Sequence, residues 1–414
     1  MEQNIVALTS VECRGNMITY HYETSGPWRA CFLQKMPYII EYPVDVSGVP
    51  ESVAVVPFLC TILPAAWLYD AKILLRDCDA DFFESILEFK KGYADMYPDL
   101  AFLGEVVPDK LTKNTPDVSR SAAFFSGGVD ATFTLLSHFE EKPILITLWG
   151  ADIRCENESG WEKASAYISA TADAYGLSYC PVKTPFRQIL NETPLSKLIK
   201  KTGEDWWHGF QHGIGIISHA APLAFINGIS RVYIGSSKNA QETEKTTTAS
   251  YPTIDNNVRF CGCRVIHDGF AYTRQDKVRA ICELSNTYKL QAPLRVCWIS
   301  TGGSNCCICE KCARTILAIA AEGYDPIDFG FALDSRVKRK IKYLLLHKAI
   351  LIPRRFEPIQ QRLRLTMAQS PEPSEWAWFC DMSIEEMNRS LLKKIYASEP
   401  VRLVGRVRQH LGIE

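Results

Sequence analysis

The chain has no long uninterrupted apolar run. Its longest uncharged stretch, Val53 to Tyr69, is at the short limit of a membrane span and carries Pro57 and Pro64. It reads as two buried strand-like pieces of a soluble domain, with no membrane partner expected. An excess of charge of one sign is also missing. Lys and Arg number 46 against 47 Asp and Glu, a formal net charge of −1, which argues against coating nucleic acid as the main task. Met1-Glu2-Gln3-Asn4 begins no signal peptide, and internal repeats and low-complexity segments are lacking. Cysteine, by contrast, is plentiful. An odd count of 15 in a chain of 414 residues whose first residues do not read as a signal peptide leads to the expectation of the reducing cytoplasm and not of a secreted disulfide scaffold.

The even charge balance hides an uneven distribution. From Arg336 to Glu414 there are sixteen Lys/Arg against eight Asp/Glu, so an acidic body carries a basic tail. That tail could meet an acidic partner or a nucleic acid, or be a solvated helical face. The length allows two or three domains. Residues 1–115 read as an N-terminal accessory α+β module, with strands at Met17–Glu23, Tyr38–Tyr42 and Ala71–Leu75 and a helix at Asp81–Met96, closed by a polar linker over 110–121. Residues 116–330 alternate strands (Ala122–Phe125, Pro143–Leu148, Leu177–Val182, Ser230–Gly235) with helical stretches (Gly160–Tyr175, Gly209–Asn227). That alternation predicts an α/β fold with a parallel sheet and helices on its faces. Residues 331–414 form the basic helical C-terminal segment.

The run Phe124-Phe125-Ser126-Gly127-Gly128-Val129-Asp130 is an apolar strand breaking into a glycine turn that opens an apolar helix. It lacks the three spaced glycines of a dinucleotide fingerprint and the lysine of a Walker loop. A strand-turn-helix unit aims unpaired N–H groups and the positive end of the helix dipole at whatever lies above the turn, and glycine lets a phosphate approach closely. Asp130 either caps the helix or reaches a magnesium ion on the phosphates. A tight turn that binds nothing is the alternative. Ligands of such sheets sit at the carboxyl ends of strands, which brings the Trp149-Gly150-Ala151-Asp152 and Gly235-Ser236-Ser237-Lys238 turns into consideration.

Downstream stands Cys297-x8-Cys306-x2-Cys309-x2-Cys312, a set of four thiols with knuckle spacing that suits tetrahedral structural zinc. An iron-sulfur cluster and inert buried cysteines compete with it. Cys307 is surplus.

Ser-Gly-Gly-x-Asp after a first strand resembles the signature of the PP-loop ATP pyrophosphatases. These enzymes adenylate a carbonyl or amide oxygen, release pyrophosphate and let a nitrogen or sulfur nucleophile displace AMP. Together with the cysteine spacing, Cys297-Trp298 and Arg314, the chain resembles the 7-cyano-7-deazaguanine synthase family of queuosine biosynthesis over about 120–320. The resemblance implies a PP-loop, Rossmann-like sheet of the adenine nucleotide alpha hydrolase type, with a zinc knuckle. It implies ATP, Mg2+ and Zn2+ as cofactors. Ser126, Gly127, Gly128, Val129, Asp130, Ala131 and Thr132 would hold the nucleotide's phosphates, Leu148 and Gly235 its base. Asp130, Lys238 and Lys277 are the candidate catalytic residues, with Arg274 beside Lys277. His212, Tyr251 and Asp255 are the candidate substrate contacts, and Cys297, Cys306, Cys309 and Cys312 the zinc ligands.

Departures from the family are specific. Ala131 stands where a hydroxyl residue is usual, Gln211-His212-Gly213 replaces an Arg-Asn pair, and Thr253 replaces an aspartate, with Asp255 two residues later. His208 and His212 lie at a metal-sharing spacing but read as core or substrate-contact histidines. Cys261-Gly262-Cys263 reads as inert thiols in a strand or as a sulfur relay. The expected activity is an AMP-forming ligase that adenylates a deazaguanine-type carboxylate for amide or nitrile formation. Alternatives are conjugation of such a base to a partner protein in antiviral defence, sulfur transfer, and a non-catalytic ATP-binding regulatory subunit. Expected partners are the small-molecule carboxylate, a protein docking on residues 1–115 or the tail, and a second copy in a homodimer.

Overall fold

The computed structural model describes residues 3–33, 38–117, 119–241, 247–297, 299, 304–370, 374–389, 393 and 395. Trp298 and the tail beyond 395 lie outside the described residues. The chain divides into two compact units, one of Met1–Ser126 with Ser137–Ala271, the other of Gly127–Leu136 with Tyr272–Glu414.

The first unit is built on one eleven-stranded sheet. In chain order the strands are β1 (Ile5–Arg14), β2 (Met17–Ser25), β3 (Tyr38–Glu41), β4 (Lys72–Asp79), β5 (Glu105–Thr112), β6 (Arg120–Phe124), β7 (Ile144–Trp149), β8 (Tyr179–Lys183), β9 (Ile229–Gly235), β10 (Arg259–Phe260) and β11 (Cys263–Asp268). In space they run β10-β11-β9-β6-β7-β8-β3-β2-β1-β4-β5. The block β11-β9-β6-β7-β8 is parallel throughout, as the strand-helix alternation of 116–330 predicts. The sheet does not stop at residue 115. β3 pairs antiparallel with β8 through Glu41 and Lys183, and β1, β2, β4 and β5 extend the sheet from there. One hydrophobic core runs from Val6 to Val265, so the first 115 residues are the far half of one sheet.

The segment read as two strand-like pieces is helical, Glu51–Ala54 and Val56–Leu68. All residues from Val56 to Trp67 are buried. A helix wrapped on every side shows no 3.6-residue stripe, which is why periodicity gave no sign of it. Pro57 sits in its first turn, where a missing N–H costs nothing, and Pro64 is tolerated inside it. The helical stretch expected over 209–227 is broken into a π-turn (Trp207–Gln211) and the helices His212–Ile217 and Ala220–Asn227.

The second unit is helical among its described residues: Arg274–Tyr288, Glu310–Ala321, Ser335–Tyr343, Pro353–Gln369 and Ile384–Asn388 join the helix that starts at Val129. A buried acid ties three of them. Glu322 accepts from Arg362 at 2.7 Å, Arg279 at 3.2 Å and Gln275 at 2.6 Å. A carboxylate held by two guanidinium groups and an amide satisfies the demand that buried charge be paired.

Candidate functional site

The glycine turn is formed as its sequence requires. Strand β6 ends at Phe124 and the helix Val129–Ser137 begins five residues on. Between them Gly127 has φ +76°, a conformation that any β-carbon would strain. Within the second unit the Gly127 carbonyl accepts from Arg295 N–H at 2.7 Å. Ala131 and Thr132 are buried, and the Thr132 hydroxyl has no partner. It points inward, so this turn could present a phosphate with backbone N–H groups and not with a side chain at 131 or 132.

Asp130 is the centre of a charged cluster. Lys277 Nζ donates to its Oδ1 at 3.1 Å, and Arg274 meets its Oδ2 at 2.9 Å. The helix Arg274–Tyr288 delivers both cations because its start is fixed by a capping box, in which Thr273 and Asp276 satisfy each other's backbone N–H. Lys277 is 2% exposed and stands 5.9 Å from the Phe133 ring. Arg274, Lys311 and Arg314 surround a small void of about 10 Å³ with Val129, Val278 and Thr315, and Arg314 pairs with Glu310 at 3.3 Å. Cations thus outnumber acids at the opening of the helix, an arrangement suited to a polyanion. Both oxygens of Asp130 are engaged by cations, so a magnesium ion would have to displace one of them.

The four predicted cysteines come together in the second unit. All four sulfurs lie within 4.8 Å of one another, with Cys297 to Cys309 and Cys306 to Cys312 each at 4.0 Å. Tetrahedral sulfur ligands at metal–sulfur bonds of about 2.3 Å would be roughly 3.8 Å apart, so the group could hold a metal ion. The knuckle is preformed by backbone donors: Cys309 N–H points to Cys306 Sγ at 3.3 Å and Cys312 N–H to Cys309 Sγ at 3.4 Å. Cys309 also caps the helix Glu310–Ala321. Hydrogen bonds from the Cys312 thiol and N–H, with those of the Cys306 and Cys297 thiols, outweigh burial and draw the Cys309 thiol down to about 5. Cys307 takes φ +58° and turns its sulfur to Asn305 O instead.

In the first unit, Leu148 near the end of β7 and Gly235 at the end of β9 flank β6, which leads to the exposed Ser126. Lys238 follows β9, and its carbonyl accepts from Ser236 Oγ at 2.9 Å. His212 stands edge-on to Trp207 at 4.9 Å, and Arg187 lies over that same ring at 3.9 Å. Burial holds His212 below the usual imidazole range, against the opposing pull of Asp152 and Asp255. His208 pairs instead with Glu204 at 2.6 Å, so the two histidines do not share a ligand position. Tyr251 packs edge-on against Phe270 at 5.2 Å.

Asp255 is fully buried and belongs to a chain that the sequence did not announce. Its Oδ2 accepts from Ser250 Oγ at 2.6 Å and from His267 Nδ1 at 2.7 Å, and His267 Nε2 meets Ser236 Oγ at 2.7 Å. The Asp255 carboxylate accepts from Nδ1, and since the one Ser236 proton goes to the Lys238 carbonyl, the serine meets Nε2 through its oxygen. Ser236 is itself 0% exposed, so the chain orients Asp255 more than it offers a nucleophile. Oδ1 of Asp255 has no partner, and a β-carbon on Gly213 would come within 2.9 Å of it. One signal was legible: His267 is a polar residue on the face of β11 that also buries Cys263 and Val265.

Cys261 and Gly262 form the tight turn between β10 and β11, with φ +41° and +77°, which corrects the reading of these thiols as lying in one strand. Cys261 and Cys263 are both buried, and burial pushes both thiols well up.

No family model matches the chain, and a comparison with curated proteins returns no match.

Proposed function

We propose that the chain is an ATP-dependent, AMP- and pyrophosphate-forming ligase of the PP-loop kind, adenylating a deazaguanine-type carboxylate for amide or nitrile formation. The observation that carries the reading is the pairing of Asp130 with Lys277 and Arg274 at a glycine turn that opens a helix. In this reading Asp130 orients two cations for the phosphates of ATP, and Gly127 and Gly128 let those phosphates approach the backbone. The chemistry asked of the protein is positioning and stabilisation of the leaving pyrophosphate. Asp255, fixed by Ser250 and His267, is fully buried in the first unit and is given no contact with the acceptor. Zinc, held by Cys297, Cys306, Cys309 and Cys312, would supply a structural cross-link. The geometry at Asp130 gives magnesium no ready ligand, and no step is assigned to it.

The test is product analysis with ATP, ammonium and 7-carboxy-7-deazaguanine. AMP and pyrophosphate should form in equal amounts, and Asp130→Asn should lower the rate about a hundredfold or more, the scale of losing an electrostatic stabiliser. ADP and phosphate as products would refute the reading. Sulfur transfer through Cys261 and Cys263 loses support, because a relay needs reachable thiolates. A regulatory ATP-binding subunit keeps one observation in its favour, the buried Thr132 hydroxyl beside Ala131. Calorimetric ATP binding without any pyrophosphate release would select it.

A further inference from the structure

A row of three arginines crosses the edge of the sheet in the first unit. Arg259 of β10 stands opposite Arg264 of β11, and Arg264 opposite Arg231 of β9. Laddered partners share a face, so all three side chains leave the same side. Like charges on directly opposed positions destabilise a sheet, and a row of three therefore calls for a compensating anion. The protein supplies part of it. Glu88 forks onto Arg259 with two bonds of 2.8 Å, and Glu141 reaches Arg231 at 3.6 Å.

The middle of the row is uncompensated. Arg264 is exposed and has no ion pair among the described residues, and Arg231 Nε is buried without a partner. The arginines, with Ser230 and the Gly262–Cys263 turn, line a cleft of about 490 Å³. Asp81, the acid in its wall, pairs with Lys113 and accepts from the Gly262 N–H at 2.9 Å, and with Glu84 it acts on Arg259 at one end of the row. The cleft lies at the amino-terminal ends of β9 and β11, away from the strand ends that carry Gly235 and Ser236.

We infer that this cleft is a second anion site, taking a phosphoryl-bearing small molecule across Arg264 with Arg231 and Arg259 on either side. The volume is that of a small-ligand pocket. Guanidinium forks match the paired oxygens of a phosphate, and a row of them suits a ligand with more than one negative charge. The inference does not depend on the proposed ligase activity.

Arginine labelling of the full chain with phenylglyoxal, read by peptide mass spectrometry with and without inorganic pyrophosphate, tests it. Pyrophosphate should slow labelling of Arg264 severalfold, and should still do so in the Asp130→Asn variant, where the other phosphate site is disabled. Calorimetry should show the pyrophosphate binding that survives Asp130→Asn weakened about tenfold or more by a further Arg264→Ala, the scale of one lost charge-assisted bond. Unchanged labelling of Arg264 would overturn the inference. So would protection that disappears with Asp130→Asn, or protection given by a short single-stranded oligonucleotide and not by pyrophosphate.

Discussion

Two pairs of cysteines, each a few residues apart, sit in different settings, and of the four thiols only Cys309 is lowered, burial raising Cys306 as it raises the other two. Cys261 lies in a tight turn and Cys263 just after it, both buried, and desolvation raises both thiols. Cys306 and Cys309 also flank a turn, yet backbone N–H groups point at their sulfurs and two further thiols complete the group. Burial alone makes a thiol inert; burial among convergent donors leaves it able to bind a metal ion. The spacing x1 against x2 matters only because a two-residue interval lets the chain curl its own N–H groups onto the first sulfur.

The largest expected effect separates the pairs by metal content. Cys309→Ser or Cys312→Ser should abolish bound zinc, measured by elemental analysis. Either should also lower stability by several kcal/mol, on the order of the folding energy a structural site supplies, measured by denaturant unfolding. Cys261→Ser and Cys263→Ser should leave the metal untouched. Loss of metal in a Cys261 variant would break the comparison.

Chelation sharpens it. After metal removal at neutral pH, maleimide should label the four-cysteine group ahead of Cys261 and Cys263, because hydrogen bonds from its neighbours lower the Cys309 thiol while burial raises those two. Cys261 and Cys263 should react only on unfolding. Equal rates across the native protein would mean that donors and burial do not govern these thiols.

The smallest effect transfers the contrast to histidine. Burial drives His219 down to about 4. Burial also lowers His138, but Asp268 and Glu141 outweigh it and hold His138 above the ordinary imidazole range. A raised folded pKa stabilises fully below the unfolded value of about 6.5 and is lost as pH rises through the folded value. Urea unfolding should therefore show a modest fall in stability as pH rises above about 6.5, absent in His138→Gln. A pH profile unchanged by that substitution would remove His138 from the argument.

What the sequence showed depended on how local the cause was. The Gly127 turn, the four-cysteine spacing and the parallel strands of 116–330 are written in neighbouring residues. The helix Val56–Leu68 was misread because burial on all sides erases the pattern that distinguishes helix from strand. The single sheet spanning residue 115 was invisible, since Glu41 and Lys183 find each other only in the fold. The same holds for Asp130 with Lys277 and for Ser236, His267 and Asp255, whose partners come from separate elements. Cys261 at positive φ could not be anticipated, because non-glycine residues seldom adopt it.

The seam between β3 and β8 also dictates an order of events when the chain folds. The β1–β2 hairpin closes through contacts between near neighbours, whereas Glu41 must wait for Lys183, 142 positions further on. Local pairings form quickly and distant ones pay a large loop entropy first. During synthesis, the β1–β3 meander would therefore leave the ribosome with an open strand edge at β3, unpaired until β8 has been made. For that interval β3 is an open border, with a charge at its last residue, Glu41.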